Sequence, residues 1–213
     1  MRKGLGCVVA AVILFVLALL VAGSWYVGVR NRLVGLDEAV NQQWAQVESQ
    51  YQRRFDLIPN LVHTVQGAAD FEKSTLQAVV EARARVGQVQ VVSPGQPGAA
   101  AQLPNDQNAM SQYAAAQQGL WSAVSRLIVV SERYPELKSN QNFLALQSEL
   151  EGTENRIAVE RMRYNEKAQE FNVAVRRFPG SVAAGMGGFK PKAYFRGAPG
   201  SSQAPDVNFN FKK

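Results

Sequence analysis

Glu72, Arg83 and Arg161 are charges set on helix faces that are otherwise apolar, with Glu154 and Glu160 close to Arg161 in sequence. Carboxylates and arginines placed this way could do acid–base work, hold a metal, or lock helices together. The first two uses need companions that the chain lacks. His63 is the single histidine, so a metal site built on paired imidazoles is out. A di-iron bundle, which needs Glu-x-x-His on two helices, is out for the same reason. Neither a Gly-x-Ser-x-Gly elbow nor a glycine-rich phosphate loop ending in Lys-Ser/Thr occurs. Gly185, Gly187 and Gly188 fall in the tail and not between a strand and a helix. His63 reads as a surface or corner residue. No catalytic, metal or cofactor-binding residue is assigned, and no cofactor is expected.

Locking helices remains. An isolated buried charge is costly, so each should find a partner. Arg83 lies 24 residues past Pro59, Arg161 lies 22 past Ser139, and Asp37 lies 21 before Ile58. Counted from helix corners at Pro59 and Ser139, these three fall at one depth. Arg83 and Arg161 are therefore expected within reach of carboxylates from Asp37, Glu38 or Glu160. Such a polar layer would set which helices face each other. The competing reading has the long side chains reaching solvent at the edge of the stripe.

The elements that must position these charges are helices. Leu33, Leu36, Val40, Trp44, Val47, Tyr51, Phe55 and Ile58 recur at helical spacing and share one face. Pro59 disfavours helical backbone at Ile58 and suits the first turn of a new helix. The segment Asp56-Leu57-Ile58-Pro59-Asn60 is thus predicted to be a tight corner. A second helix follows over 59–87, carrying Leu61, Val65, Leu76, Val79 and Val86. Residues 88–105, with Pro94, Pro97 and Pro104, form a linker. A third helix over 106–134 places Met110, Tyr113, Gln117, Leu120, Val124, Leu127 and Ser131 in register, and Pro135 stops it. Ser139 is the expected N-cap of a fourth helix over 139–178. Its stripe runs from Phe143 through Leu150, Ile157, Tyr164 and Phe171 to Phe178. Residues 180–213 form a basic tail rich in Gly, Ser and Pro, mostly disordered by composition. The fold class is all-α: an amino-terminal transmembrane helix, then an up-down antiparallel four-helix bundle with long helices.

The transmembrane helix is Leu5–Val29, 25 residues without a charge, between Arg2-Lys3 and Arg30-Asn31-Arg32. About 20 apolar residues cross the hydrocarbon core. A cleaved signal peptide is the alternative, with Val21-Ala22-Gly23 as a small-residue site. Its apolar stretch would normally be only about 7–15 residues. Trp25 and Tyr26 also sit where an interfacial aromatic belt belongs. Two basic residues flank each side, so charge gives no orientation. Cys7, the single cysteine, lies inside this stretch. It reads as a small apolar residue, and no disulfide can form within the chain.

A formal net charge of +6 suggests nucleic acid, but its distribution argues otherwise. Residues 30–179 hold 16 Lys/Arg and 16 Asp/Glu. The excess lies at the ends, whereas a nucleic-acid domain carries a basic face on its folded part. No nucleic acid is expected. Arg30, Arg32, Lys190, Lys192 and Arg196 are instead expected at an anionic membrane surface.

Several motifs together point further. They are Gln52-Arg53-Arg54-Phe55-Asp56-Leu57-Ile58-Pro59-Asn60-Leu61-Val62, Tyr134-Pro135-Glu136-Leu137-Lys138, Glu151-Gly152-Thr153-Glu154-Asn155-Arg156-Ile157-Ala158, Tyr164-Asn165 and Phe178-Pro179. In this order they resemble the bacterial LemA family, over nearly the whole chain from Val27 to Phe195. The resemblance implies a single-pass protein of the bacterial inner membrane, with a short amino terminus outside and a helical bundle in the cytoplasm. It supplies no catalytic residues. The 88–105 linker and the long basic tail depart from the family pattern.

Two function classes stay open. One is a scaffold or interaction protein on the lipid bilayer that assembles with itself. The other is an accessory or regulatory subunit of a membrane enzyme or protease, with one unidentified protein partner. An enzyme in its own right is the weaker third. Amino-terminal sequencing and intact mass of the membrane-fraction protein are expected to retain Leu5–Val29. A mature start near Ser24 would identify a signal peptide instead.

Overall fold

The computed structural model of the chain describes residues 2–67, 71–90 and 106–197. Among the described residues every regular element is a helix. They are α1 (Arg2–Gln66), α2 (Lys73–Gln90), α3 (Gln107–Ser131), α4 (Pro135–Lys138), α5 (Gln141–Arg176) and α6 (Gly180–Gly187). The chain divides into two compact units. The first holds α1 through Gln52, α5 from Glu154, α6 and the chain to Lys192. The second holds Arg53 through Thr153 and the segment from Ala193.

In the first unit, α1 changes surroundings along its length. Every residue from Val12 to Trp25 is exposed, including Leu14, Phe15 and Leu20. From Leu33 onward one face is buried: Leu33, Val40, Trp44, Val47 and Tyr51. On α5 the buried set is Ile157, Tyr164, Ala168, Phe171 and Val175. Both sets step by 7, 4, 3 and 4 residues, which averages close to the 3.6-residue turn and asks for no tight supercoil. Trp44 meets Tyr164 edge-on, with ring centroids 5.7 Å apart.

The core of the second unit draws on five helices. Ile58, Leu61, Val62 and Val65 of α1 join Val79 and Val86 of α2, with Leu120, Val124 and Leu127 of α3, Leu137 of α4, and Phe143 and Leu150 of α5. Helix α2 packs along α3. Phe71 and Tyr134, just outside the helices, stack at 4.9 Å.

The expected corner at Asp56, Ile58, Pro59 and Asn60 is corrected: α1 runs through Pro59, and the chain leaves the helix only after Gln66. A proline inside a helix removes one hydrogen bond and crowds the preceding turn, at about 3 kcal/mol. Ile58, Leu61, Val62 and Val65 are all buried on that stretch, and each is worth about 1.5–3 kcal/mol. Packing outweighs the proline penalty. Helix α2 accordingly begins at Lys73, not at residue 59, and continues to Gln90. Residues 91–105, most of the expected linker, lie outside the described residues.

The helix ends follow local chemistry. Asp106 caps α3 by accepting from Ala109 N at 2.7 Å, as an N-cap carboxylate should. Pro135 opens the short α4. Asn140, not Ser139, caps α5, because its Oδ1 accepts from the amides of Asn142 (2.9 Å) and Phe143 (3.2 Å). Ser139 instead donates back to the carbonyls of Pro135 and Glu136. The tail from residue 180, expected to be mostly disordered, is ordered through its described residues 180–197. It forms α6, closed by Gly188 at φ 73°, the left-handed conformation that glycine adopts without strain. Residues 189–197 follow as an extended segment in which Ala193 and Phe195 are buried.

Pro59→Ala is expected to leave thermal melting unchanged or raised, since it restores a donor within a continuous helix. Ile58→Asp, at a side chain 1% exposed, should cost more than about 3 kcal/mol, the scale of an unpaired buried charge. Melting of both full-length variants followed by circular dichroism checks this. A large loss for Pro59→Ala would return the corner to Pro59.

Candidate functional site

In the first unit a cavity of about 380 Å³ opens where α1 leaves its fully exposed apolar stretch. Val29, Arg32 and Leu33 of α1 line it, with Glu170 of α5 and Arg177 and Phe178 beyond its end. The carboxylate of Glu170 is matched by Lys167 at 3.1 Å. Arg32 and Arg177 are exposed. Helix α6 turns in tightly here. A Cβ on Gly180 would lie 2.0 Å from the carbonyl oxygen of Ala174, so only glycine fits. Ala183 and Ala184 face the protein, leaving Val182 and Met186 outward, with Phe178 beside them 75% exposed.

The chain then returns along α5. Phe189 packs edge-on against Phe171 at 6.3 Å. Asn172 holds the backbone of Lys192 twice, donating from Nδ2 to its carbonyl (2.9 Å) and accepting its amide at Oδ1 (2.7 Å). The Lys192 ammonium lies 2.6 Å from Asp37 Oδ1 and 5.6 Å from the centre of the Phe171 ring. These side chains are 21% and 28% exposed, so the pair is only partly screened by water. The same device recurs in the second unit. Gln107 donates to the carbonyl of Tyr194 (2.9 Å) and accepts from its amide (3.2 Å). Two side-chain amides thus hold this extended segment by its backbone, as a neighbouring strand would.

These contacts redistribute the expected polar layer. Asp37 pairs with Lys192, one of the residues expected at the membrane surface, and both side chains stay partly exposed. Glu160 accepts from Gln43 (2.6 Å) and Arg163 (2.7 Å). Arg161 is half-buried and engaged, and Glu38 is exposed. Arg83 belongs to the second unit, where its guanidinium lies 3.9 Å from the Phe55 ring centre, a cation–π contact in place of the expected carboxylate. The depth count failed because the reversal is not at Pro59. Counted from the true helix ends, Arg83 lies 10 residues after Lys73 and Phe55 lies 11 before Gln66, which puts those two level. Glu72 stands outside α2, accepting from Thr75 Oγ1 (3.2 Å) and pairing with Arg133 at 3.3 Å. Arg30, Lys190 and Arg196 are exposed, and so is His63.

Sequence reasoning missed Arg54, which is 1% exposed. Its Nη2 donates to the Gln117 carbonyl oxygen at 3.2 Å and to Gln117 Oε1. Tyr51, Arg54 and Ile58 step by 3 and 4 residues, as Tyr51, Phe55 and Ile58 step by 4 and 3. Periodicity allows either course, and hydrophobicity alone chose Phe55, which is only partly buried. Among the described residues no group of three or more His, Cys, Asp or Glu side chains could hold a metal ion.

The sequence pattern of the LemA family matches residues 43–209, a range that includes the Trp44–Tyr164, Arg54–Gln117 and Asn172–Lys192 contacts. The chain belongs to the LemA family. This LemA protein is similar to two magnetosome proteins of Paramagnetospirillum magneticum, MamQ 1 and MamQ 2. Each is 26% identical over 206 residues, covering 93% of this chain and 76% of the relative. It is also similar to magnetosome protein MamQ of Magnetospirillum gryphiswaldense, 28% identical over 179 residues, covering 79% of this chain and 65% of the relative. Helix α1 is long and apolar enough to cross a membrane, and its apolar stretch has no buried residue.

Asn172→Ala is expected to release the return segment, so trypsin should cut after Lys192 and Arg196 faster than in the parent protein. Asp37→Asn should cost more than the roughly 0–1 kcal/mol of an exposed pair and less than the roughly 3–5 of a buried one. Limited proteolysis and chemical denaturation measure the two effects. Unchanged cleavage in Asn172→Ala would show that the amide does not hold the segment.

Proposed function

We propose that this LemA protein is a membrane-anchored helical scaffold, single-pass, with its folded part in the cytoplasm as an up-down bundle. It brings protein surfaces to the bilayer and has no catalysis of its own. One observation carries the reading: the helix whose first part exposes a long apolar stretch is the helix whose later part is buried against α5. Anchor and folded part share one element, so whatever docks on the folded part is held at the membrane. Membership of the LemA family and the similarity to magnetosome proteins support a membrane-associated helical protein.

Self-assembly is the form of scaffolding the surface favours. Helix α5 leaves Val159, Met162 and Val173 exposed at 41%, 57% and 51%. Apolar side chains on an outward helix face suit contact with another helix. The same face could serve a different membrane protein, which is the accessory-subunit reading.

Tagged full-length protein, purified in mild detergent and weighed by native mass spectrometry, separates the two. Multiples of the chain mass are expected, with Met162→Glu reducing them. A single recurrent foreign protein at fixed stoichiometry, without self-association, would replace the scaffold by the accessory subunit.

A further inference from the structure

We propose that the α5–α6 corner is a second membrane contact: Phe178, Val182 and Met186 lie in the interfacial layer of the bilayer that α1 crosses, with Arg32 and Arg177 on its lipid phosphates. The inference rests on reading α1 as a membrane anchor and adds a site to it. Its starting point is a shared level. Leu5–Val29 rises about 37 Å at 1.5 Å per residue, more than the roughly 30 Å hydrocarbon core. Its last turn therefore lies in the headgroup region. Val29 and Arg32 line the same cavity as Phe178, Pro179 and Gly180. The corner is thus held beside the point where α1 emerges.

What the corner shows at that level is apolar. Phe178 and Met186 are 75% and 71% exposed, and Val182 is 47% exposed. Val182 and Met186 are four residues apart on α6 and share its outward face, because Ala183 and Ala184 face inward. The placement is enforced by the fold. Gly180 brings α6 against Ala174, and Asn172, Asp37 and Phe171 tie down the chain that leaves it. Arg32 and Arg177 line the adjoining cavity, and exposed Arg30, Arg176 and Lys190 lie within four residues of the corner or of Arg32 in sequence. Apolar side chains within a basic rim are the composition of an interfacial element on an anionic leaflet. Bilayer is the chosen occupant because the neighbouring α1 segment, which shares the cavity with this surface, is already apolar and without a buried residue.

The test places a spin label on the full-length protein, with Cys7→Ser, in nanodiscs of phosphatidylcholine and phosphatidylglycerol. Single labels are carried by Val182→Cys, Met186→Cys, Val21→Cys in the anchor and Asn155→Cys on exposed α5. Collision with oxygen, which partitions into lipid, is compared with collision with a water-soluble nickel chelate. Labels at 182 and 186 are expected to shift toward oxygen relative to 155, approaching 21. If 21 favours oxygen while 182 and 186 behave like 155, the second contact is overturned and the anchor stands. If 21 also behaves like 155, the anchor reading itself falls. Dipolar broadening between labels at 186 would mean that a second copy covers the corner, and would also overturn the proposal. Arg32→Gln with Arg177→Gln should move the 186 label toward the nickel chelate. No movement would remove the two arginines from the site.

Discussion

Helix α1 changes its surroundings along one continuous backbone. A helix keeps its hydrogen bonds internal, so the surroundings can change from one turn to the next at no cost to the main chain. Only the side chains need to change. They do so between Trp25 and Leu33, where exposed apolar residues give way to a stripe with one buried face. Leu33 is 1% exposed and Val40 is fully buried, and both belong to the set that meets α5. The other parts of the first unit are arranged on this stretch: the cavity at Val29 and Arg32, the Asp37–Lys192 pair, and the Trp44–Tyr164 contact.

Holding the carboxy-terminal segment on such a scaffold is a problem of unpaired backbone. An extended segment beside a helix finds no ladder of partners, since the helix uses its own amides and carbonyls. Asn172 and Gln107 solve this with the one side-chain group that offers a donor and an acceptor at peptide spacing. Gly180 solves the preceding difficulty, the close approach of α6 to Ala174. Composition hid both solutions. A stretch rich in glycine and alanine buries little side chain, and its order comes from residues far away in sequence.

The same distinction separates what was legible in the sequence from what was not. Met110, Tyr113, Gln117, Leu120, Val124, Leu127 and Ser131 were placed on one face of the third helix by spacing alone, and all are buried. Period is a repeated signal, and each further residue reinforces it. Pro59 is a single local signal, and it yields to the buried side chains around it. Because the corner moved, the depth count moved with it, and Arg83 was assigned to the wrong partner. The start of the third helix was legible at residue 106, where Asp106 proves to be the cap, but the cap of the fourth was not. Ser139 was expected there, and Asn140 is the better acceptor for two successive amides.

Arg54 shows what a polar residue can do inside a stripe. Its planar guanidinium presents several donors in fixed directions, whereas a leucine at the same place could slide or rotate with little penalty. Nη2 meets both the main-chain carbonyl and the side-chain oxygen of Gln117, a residue itself 4% exposed. A rotation of α1 against α3 by one residue would strand a buried cation and a buried amide together. Burying the cation costs stability that a hydrophobic side chain would not. The return is that only one rotational setting of the two helices satisfies both groups. Apolar stripes bring these helices together, and the Arg54–Gln117 contact fixes how they face each other.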